Sequence, residues 1–471
     1  MMKQAKPTLL TDEQMRQFIT NGFLILQTDF SNEFHHQLME QLNEVYKEEG
    51  NPGNNLLPRI RDLQKVFDHP TVSGALTSVL GPNYMLHAHR HGHYNASPKP
   101  GGWHKDSYWG YRRMRNHHPW WAMIMYFPQD TPIELGPTGI MPGTQNYETR
   151  TFQEDELSTE AVASGPAGTF ALIHYDIWHR STANMLGRER YMLKFEFMRT
   201  AMPTEASWDN QEASWRLPSN LNAPIARHDL MWEETWNWLS GYVGSLANTR
   251  ETDDERIHEL ELKLREDYEP NALNATYELA CCGEKGTAAL LRGLHHENSR
   301  ISRTAAYGLS VCGVDVIPGL LAALESEREE TINHAVFALG ELRHLASEAV
   351  TRLAQMLPHS SVVIRRTITE ALSMIGAPVD DVVAALIDCL QDEDVQAKFM
   401  AGLAITRLGA KADAAVDQLE VALDDENRYV RAHAVEALHY IDTDAAKEVL
   451  IRFLLSARWC PTTTKENTFY P

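Results

Sequence analysis

Apolar positions change their spacing near residue 250, and the change divides the chain into two kinds of structure. In the first part, LTDEQMRQFITNGFLIL (10–26) opens with Thr11 placed to cap a helix. Acidic and polar residues follow, and Met15, Phe18 and Ile19 recur at helical spacing. Asn21-Gly22 ends that helix, and FLILQTDF (23–30) reads as a buried strand. WWAMIMYF (120–127), TFALIHYD (169–176) and RYMLKFEFM (190–198) read as further strands between Pro, Gly and Asn turns. In the last of these Tyr191, Leu193, Phe195 and Phe197 share one face. Such strands, without strong helices between them, predict a β-sandwich or barrel with helices outside.

Beyond residue 250 the pattern repeats. ELACCG, GLSVCG, ALGELR, ALSMIG, AITRLG and ALHYID begin at Glu278, Gly308, Ala338, Ala371, Ala404 and Ala437, at spacings of 30, 30, 33, 33 and 33. A second apolar ridge keeps step, ending in Leu294, Leu324, Leu357, Leu390, Leu423 and Leu454. Two amphipathic helices per period predict an α-solenoid, in which each pair buries its face on its neighbours. Period and signature resemble short HEAT-like repeats. The join falls near SLANTRETDDERIHEL (245–260), after the tryptophans at 232, 236 and 238, whose spacing suits a packed helix. The predicted organisation is a domain over 1–245, a linker or capping helix over 246–270, about six helix pairs over 271–460 and a tail over 461–471.

Charge and cysteine content narrow the setting. Residues 251–471 hold 37 Asp and Glu against 21 Lys and Arg, a balance of −16, leaving −5 of the total −21 for residues 1–250. An acidic array repels nucleic acid, so none is expected as a partner. Cys281, Cys282, Cys312, Cys389 and Cys460 show no C-x-x-C spacing and read as thiols in a reducing compartment. No apolar run reaches membrane-spanning length and no signal-peptide core opens the chain, so a cytoplasmic protein without membrane contact is expected.

The candidate chemistry lies in GGWHKDSYWG (101–110), where His104 and Asp106 stand two apart. In an extended segment both project to one side. Imidazole and carboxylate are two of the three ligands of a 2-His-1-carboxylate facial triad, which holds Fe(II) by one face and leaves three positions open. DIWHRSTANMLGRERYMLKFEF offers His179 as the third. NMLG reads as a turn, and across an antiparallel pair Arg190 would return to the neighbourhood of His179. A guanidinium there suits the distal carboxylate of a dicarboxylate 2-oxo acid, which it can bind bidentately.

H-x-D, then a distant H-x-S-x-x-N with arginine eleven residues after the histidine, resembles the phytanoyl-CoA dioxygenase family of Fe(II)/2-oxoglutarate oxygenases. The matching residues are His104, Asp106, His179, Ser181, Asn184 and Arg190, and ELGPTGIMPGTQ (134–145) is similar to a family turn. The resemblance covers roughly residues 8–240. It implies a double-stranded β-helix (jelly-roll, cupin-like) oxygenase domain with surrounding helices, here followed by the all-α HEAT-like solenoid. It also implies iron on His104, Asp106 and His179, and 2-oxoglutarate on Arg190 assisted by Ser181. Asp106 is retained, which favours hydroxylation or a related C–H oxidation over halogenation. Lys105 stands where relatives often carry glutamine, which bears on the substrate. The expected substrate is small or carrier-bound, with a protein partner or oligomer contact open to the solenoid.

Other readings stay open on the residues alone. His174 and Asp176 form a second H-x-D. His87, His89, His91 and His93 alternate, so an extended strand would bring all four to one face, as a polar cavity wall, a second metal site or an exposed face. His91, His93, Trp103, Lys105, Met125 and Asn184 are candidate pocket residues, while Tyr108 and Trp109 flank the metal pair. A di-iron site built from paired His-Glu repeats is excluded, because HHE (295–297) has no partner in register. A HEAT-repeat scaffold carrying a catalytically silent jelly roll is the alternative to an enzyme.

Overall fold

The computed structural model describes residues 6–106, 114–153, 159–221, 225–358 and 361–456. Tyr108, Trp109, Cys460 and the tail 461–471 lie outside the described residues. The chain divides into two compact units, Met1–Leu345 and Ala346–Pro471.

The first unit opens with α1 (Asp12–Asn21), whose N-cap Thr11 forms a reciprocal capping box with Gln14 and whose C-cap is Gly22. Then come β1 (Phe23–Gln27), α2 (Asn32–Glu49), α3 (Leu56–Arg59), α4 (Leu63–Asp68) and α5 (Pro70–Leu80). Seven strands follow: β2 (Met85–Asn95), β3 (Trp121–Tyr126), β4 (Thr138–Ile140), β5 (Ala161–Val162), β6 (Thr169–His174), β7 (His179–Ser181) and β8 (Arg190–Met198). They form two antiparallel sheets, a larger one in the order β1-β6-β3-β8-β2 and a smaller one in the order β5-β4-β7. This is the two-sheet jelly-roll architecture that closes a core between facing sheets.

The larger sheet is covered on its outer face by helices. Phe195 and Phe197 of β8 meet Phe67 of α4 edge-on, and Tyr191 meets Tyr46 of α2. Period-two alternation therefore turns Arg190, Met192, Lys194 and Glu196 inward, although β8 is buried along its whole length.

One expectation is corrected here. β7 and β8 are not an antiparallel pair: β7 bonds to β4, whereas β8 lies between β3 and β2. The chain between them crosses from one sheet to the other, so His179 and Arg190 approach across the space between the sheets instead of along a shared edge.

The helical part begins with α6 (Asp229–Leu239), where Trp232, Trp236 and Trp238 are buried. It continues with α7 (Asp254–Leu264), α8 (Glu269–Cys281), α9 (Gly283–Leu294), α10 (Ser299–Leu309), α11 (Ile317–Ala323) and α12 (Glu329–Glu341). These helices belong to the same compact unit as the sheets. The second unit holds α13 (Val350–Gln355), α14 (Val362–Ile375), α15 (Val379–Cys389), α16 (Val395–Leu408), α17 (Val416–Ala422), α18 (Arg428–Ile441) and α19 (Asp444–Ser456). The six predicted pairs run from α8/α9 to α18/α19. Their leucine ridge is buried at Leu294, Leu324, Leu390 and Leu423, half-buried at Leu357 and 70% exposed at Leu454 on α19. Cys281, Cys282, Cys312 and Cys389 are free and buried. Among the described residues no helix is long and apolar enough to cross a membrane.

Candidate metal centre

His104 and His179 are placed opposite each other by a single antiparallel bridge, in which each backbone N–H donates to the other's carbonyl at 3.0 Å. Gly101 makes that approach possible, since a Cβ there would stand 2.7 Å from Ser181 Oγ. The ring Nδ1 of His104 lies 3.0 Å from the Gly102 carbonyl and that of His179 3.0 Å from the Ile177 carbonyl. Each Nδ1 therefore carries the proton, and each Nε2 presents its lone pair.

Asp106 completes the group. One ligand atom from each of His104, Asp106 and His179 lies within 4.8 Å of the other two. Asp106 Oδ1 accepts from Lys194 Nζ at 3.0 Å, whereas Oδ2 has no hydrogen-bond donor among the described residues and lies 3.6 Å from His179 Nε2. Burial pushes His179 down to about 4, against the pull of Asp106, so its imidazole is neutral at pH 7. Burial alone would raise Asp106, but His179 and Lys194 hold its carboxyl at about 2. A neutral imidazole and an ionised carboxylate are the forms that bind a cation.

The group opens into a cavity of about 270 Å³. The larger sheet contributes His93, Met125, Arg190, Met192 and Lys194, and the smaller sheet Thr138, His179 and Ser181. Arg190 is 2% exposed, and among the described residues its Nε has no hydrogen bond and its guanidinium no carboxylate partner. Burial lowers it to about 10, which leaves it charged at neutral pH. Burying a cation without a counter-charge costs several kcal/mol, a cost that an anion in the cavity would offset.

The remaining candidates divide. His93 and Met125 line the cavity, and His93 Nε2 has no hydrogen-bond partner among the described residues. His91 lies away from it, with Nε2 3.3 Å from Asn51 Nδ2. The histidine strand is not uniformly paired, because β2 shifts register between Leu86 and Arg90. His87 is buried within that irregularity 3.3 Å from Glu196, while the rings of His89, His91 and His93 follow one another at 5.9 and 4.9 Å. Trp103 packs with Met141 and Phe152 under the Arg180 guanidinium. Lys105 donates to the carbonyls of Thr144 and Gln145 at 3.2 and 3.3 Å. Asn184 is used within its turn, donating to the Asn95 and Arg188 carbonyls and accepting from the N–H groups of Leu186 and Gly187. Asp176 of the second H-x-D is bound by Arg115, and its neighbour His174 accepts from the Asp176 N–H at 3.2 Å. Among the described residues only His104, Asp106 and His179 form a metal-sized group.

Sequence reasoning missed Lys194, Met192 and Thr138. The first two were legible, since they stand four and two residues from Arg190 on the same strand face.

Two family models match parts of the chain. Residues 22–192 match the family model of phytanoyl-CoA dioxygenase (PhyH), and residues 317–405 and 383–459 match HEAT repeats. The chain joins a PhyH domain to HEAT repeats. No curated protein matches it. Similar solved structures include the non-heme alpha ketoglutarate dependent carbocyclase SnoK from nogalamycin biosynthesis, with 17% identity over 42% of this chain and 88% of that one, TM-score 0.34. EctD from S. alaskensis with 2-oxoglutarate and 5-hydroxyectoine shows 14% identity over 42% and 78%, TM-score 0.35. HygX from Streptomyces hygroscopicus with iron bound shows 13% identity over 42% and 90%, TM-score 0.34.

Proposed function

We propose that this chain is an Fe(II)- and 2-oxoglutarate-dependent dioxygenase that oxidises a C–H bond of a small or carrier-bound substrate. The observation that carries the reading is the convergence of His104, Asp106 and His179 on one cavity with the buried guanidinium of Arg190, which has no carboxylate partner among the described residues. The donor set suits Fe(II): two imidazole nitrogens and one carboxylate would hold it. Bound there, iron with 2-oxoglutarate supplies the oxidising power that side chains lack.

The protein's own residues hold and orient. Arg190 takes the distal carboxylate of 2-oxoglutarate through its planar fork, and the Ser181 hydroxyl lies in the same cavity to assist it. Lys194 fixes Oδ1 of Asp106 and leaves Oδ2 for the metal. Asn184 shapes the turn that delivers Arg190. Met125, Met192 and His93 wall the cavity, excluding water and orienting the target carbon. Hydroxylation or a related oxidation is the outcome that the retained Asp106 favours. The acidic array is assigned to protein partners, substrate delivery or self-association, and the compartment to the cytoplasm.

The test is release of labelled CO2 from 1-labelled 2-oxoglutarate under air with Fe(II) and ascorbate. Slow substrate-independent release by the wild type, abolished in His179→Ala, supports the reading. No release above the His179→Ala background, with or without a panel of small hydroxylation substrates, favours the silent scaffold.

A further inference from the structure

The six repeat signatures each end within four residues after a helix, and all six residues there take positive φ: Gly283, Gly313, Arg343, Gly376, Gly409 and Asp442 at 60°, 77°, 57°, 67°, 57° and 57°. Glycine occupies four of them, as expected where a Cβ is strained. Arg343 departs from that rule, and its side chain is fully buried. It donates to Glu341 at 3.0 Å and stacks 4.4 Å above the Trp120 ring, beside the start of β3. A strained residue held by the surrounding structure points to a use for its side chain.

That use is visible on residues 115–120, just before β3. Glu341, the last residue of α12, accepts from Asn116 Nδ2 at 2.6 Å and lies 3.1 Å from His118 Nδ1. His118 reaches Glu234 of α6 at 2.7 Å through its other nitrogen. His117, between them, bonds to Tyr277 of α8 at 2.8 Å and stacks on Tyr307 of α10. Three successive residues are thus fastened to α6, α8, α10 and α12. The preceding residue, Arg115, donates to the Asp106 carbonyl at 3.4 Å, binds Asp176 and lies 3.4 Å from Glu148. The backbone N–H groups of Glu148 and Thr149 donate in turn to Glu269 of α8 at 2.9 and 2.8 Å.

We infer that the Glu341–Arg343 pair of the third repeat is a positioning device for the metal site, clamping residues 115–118 so that Arg115 holds the backbone of Asp106. The first repeats are then part of the oxygenase, whatever the rest of the array binds. The inference rests on the proposed metal site and adds to it the residues that hold one ligand from behind.

The experiment is Co(II) titration of the full-length apoprotein, following the visible d–d bands, in wild type, Arg343→Gly, Asn116→Ala and Arg328→Ala. Arg343→Gly restores the residue usual at that position and relieves strain, so it removes the clamp while limiting the stability loss. Arg328→Ala breaks bonds internal to the array, to the carbonyls of His296 and Glu297, and serves as control. The expected result is a Co(II) Kd raised about tenfold, the lower end for partners behind metal ligands, with altered bands, in Arg343→Gly and Asn116→Ala only. If Arg343→Gly does not fold, Asn116→Ala decides. Wild-type Kd and bands in the folded clamp variants overturn the inference, as does equal weakening in Arg328→Ala. A wild type that takes up no Co(II) overturns the proposed metal site and the clamp together.

Discussion

His179 and Arg190 stand eleven residues apart on opposite sheets and face the same cavity. Their separation in the structure gives the two residues separable tasks. Arg190→Met should leave metal affinity near wild type and weaken 2-oxoglutarate by a factor of about 100 or more, the usual loss for one partner of a buried charge pair. Arg190→Lys should recover part of it, since an ammonium supplies charge without the fork. Calorimetric titration of 2-oxoglutarate into the Co(II) protein measures both; an unchanged Kd in Arg190→Met would remove the assigned role.

The two H-x-D pairs give opposite expectations. His104→Gln removes a ligand and should abolish Co(II) binding at micromolar protein. His174→Gln should keep the Kd within about threefold, because His174 accepts from the Asp176 N–H and is not part of the metal-sized group. The reverse pattern would transfer the site to the second pair.

Buried histidines set the response to acid. Burial pushes His117 down to about 3, and His174 and His228 to about 4, from 6.5. Below pH 6.5 the unfolded chain takes up protons that these folded sites refuse, so stability falls with pH until about 4. Each contributes a loss of about 1–2 kcal/mol by pH 5. His118 behaves oppositely: burial opposes its charge, but Glu234 and Glu341 prevail and raise it. Its contribution is complete below 6.5 and is lost as pH rises through the folded value. Thermal melts should therefore show Tm dropping from pH 7 to pH 5, less steeply in His174→Gln. A flat profile would contradict the burial of these rings.

Where the chain is cut should matter. Ended after Leu345, it keeps Glu269, Tyr277, Tyr307, Glu341 and Arg343 in the unit that holds the sheets. It should melt cooperatively and bind Co(II). Ended after Arg250, it takes Glu341 away from Asn116 and from His118 Nδ1, and Glu269 away from the Glu148 and Thr149 N–H groups, at about 1–3 kcal/mol for each buried bond lost. That fragment should be unfolded or aggregated by circular dichroism and gel filtration. A folded 1–250 fragment with wild-type metal affinity would make the array dispensable to the site.

Much of this was legible in the residues because it rests on local periodicity. The capping Thr11, the strand over 190–198 and the leucine ridge follow from spacing that one element sets for itself. The pairing of β7 was not legible: a three-residue strand carries too little pattern to choose between β8 and β4, and the turn before Arg190 suggested the nearer partner. The clamp was hidden for another reason. Asn116 and Glu341 are 225 residues apart, and only folding brings them together. Its one sequence trace is Arg343, which breaks the run of glycines in the repeat signature.

The most direct measurement is an anaerobic titration of the full-length protein with Fe(II) and then 2-oxoglutarate, watching for the visible charge-transfer band of their chelate. Wild type should develop the band with saturation near one equivalent of Fe(II), and His179→Ala should show none. No band in wild type, or an undiminished one in His179→Ala, would contradict an iron site built on His104, Asp106 and His179.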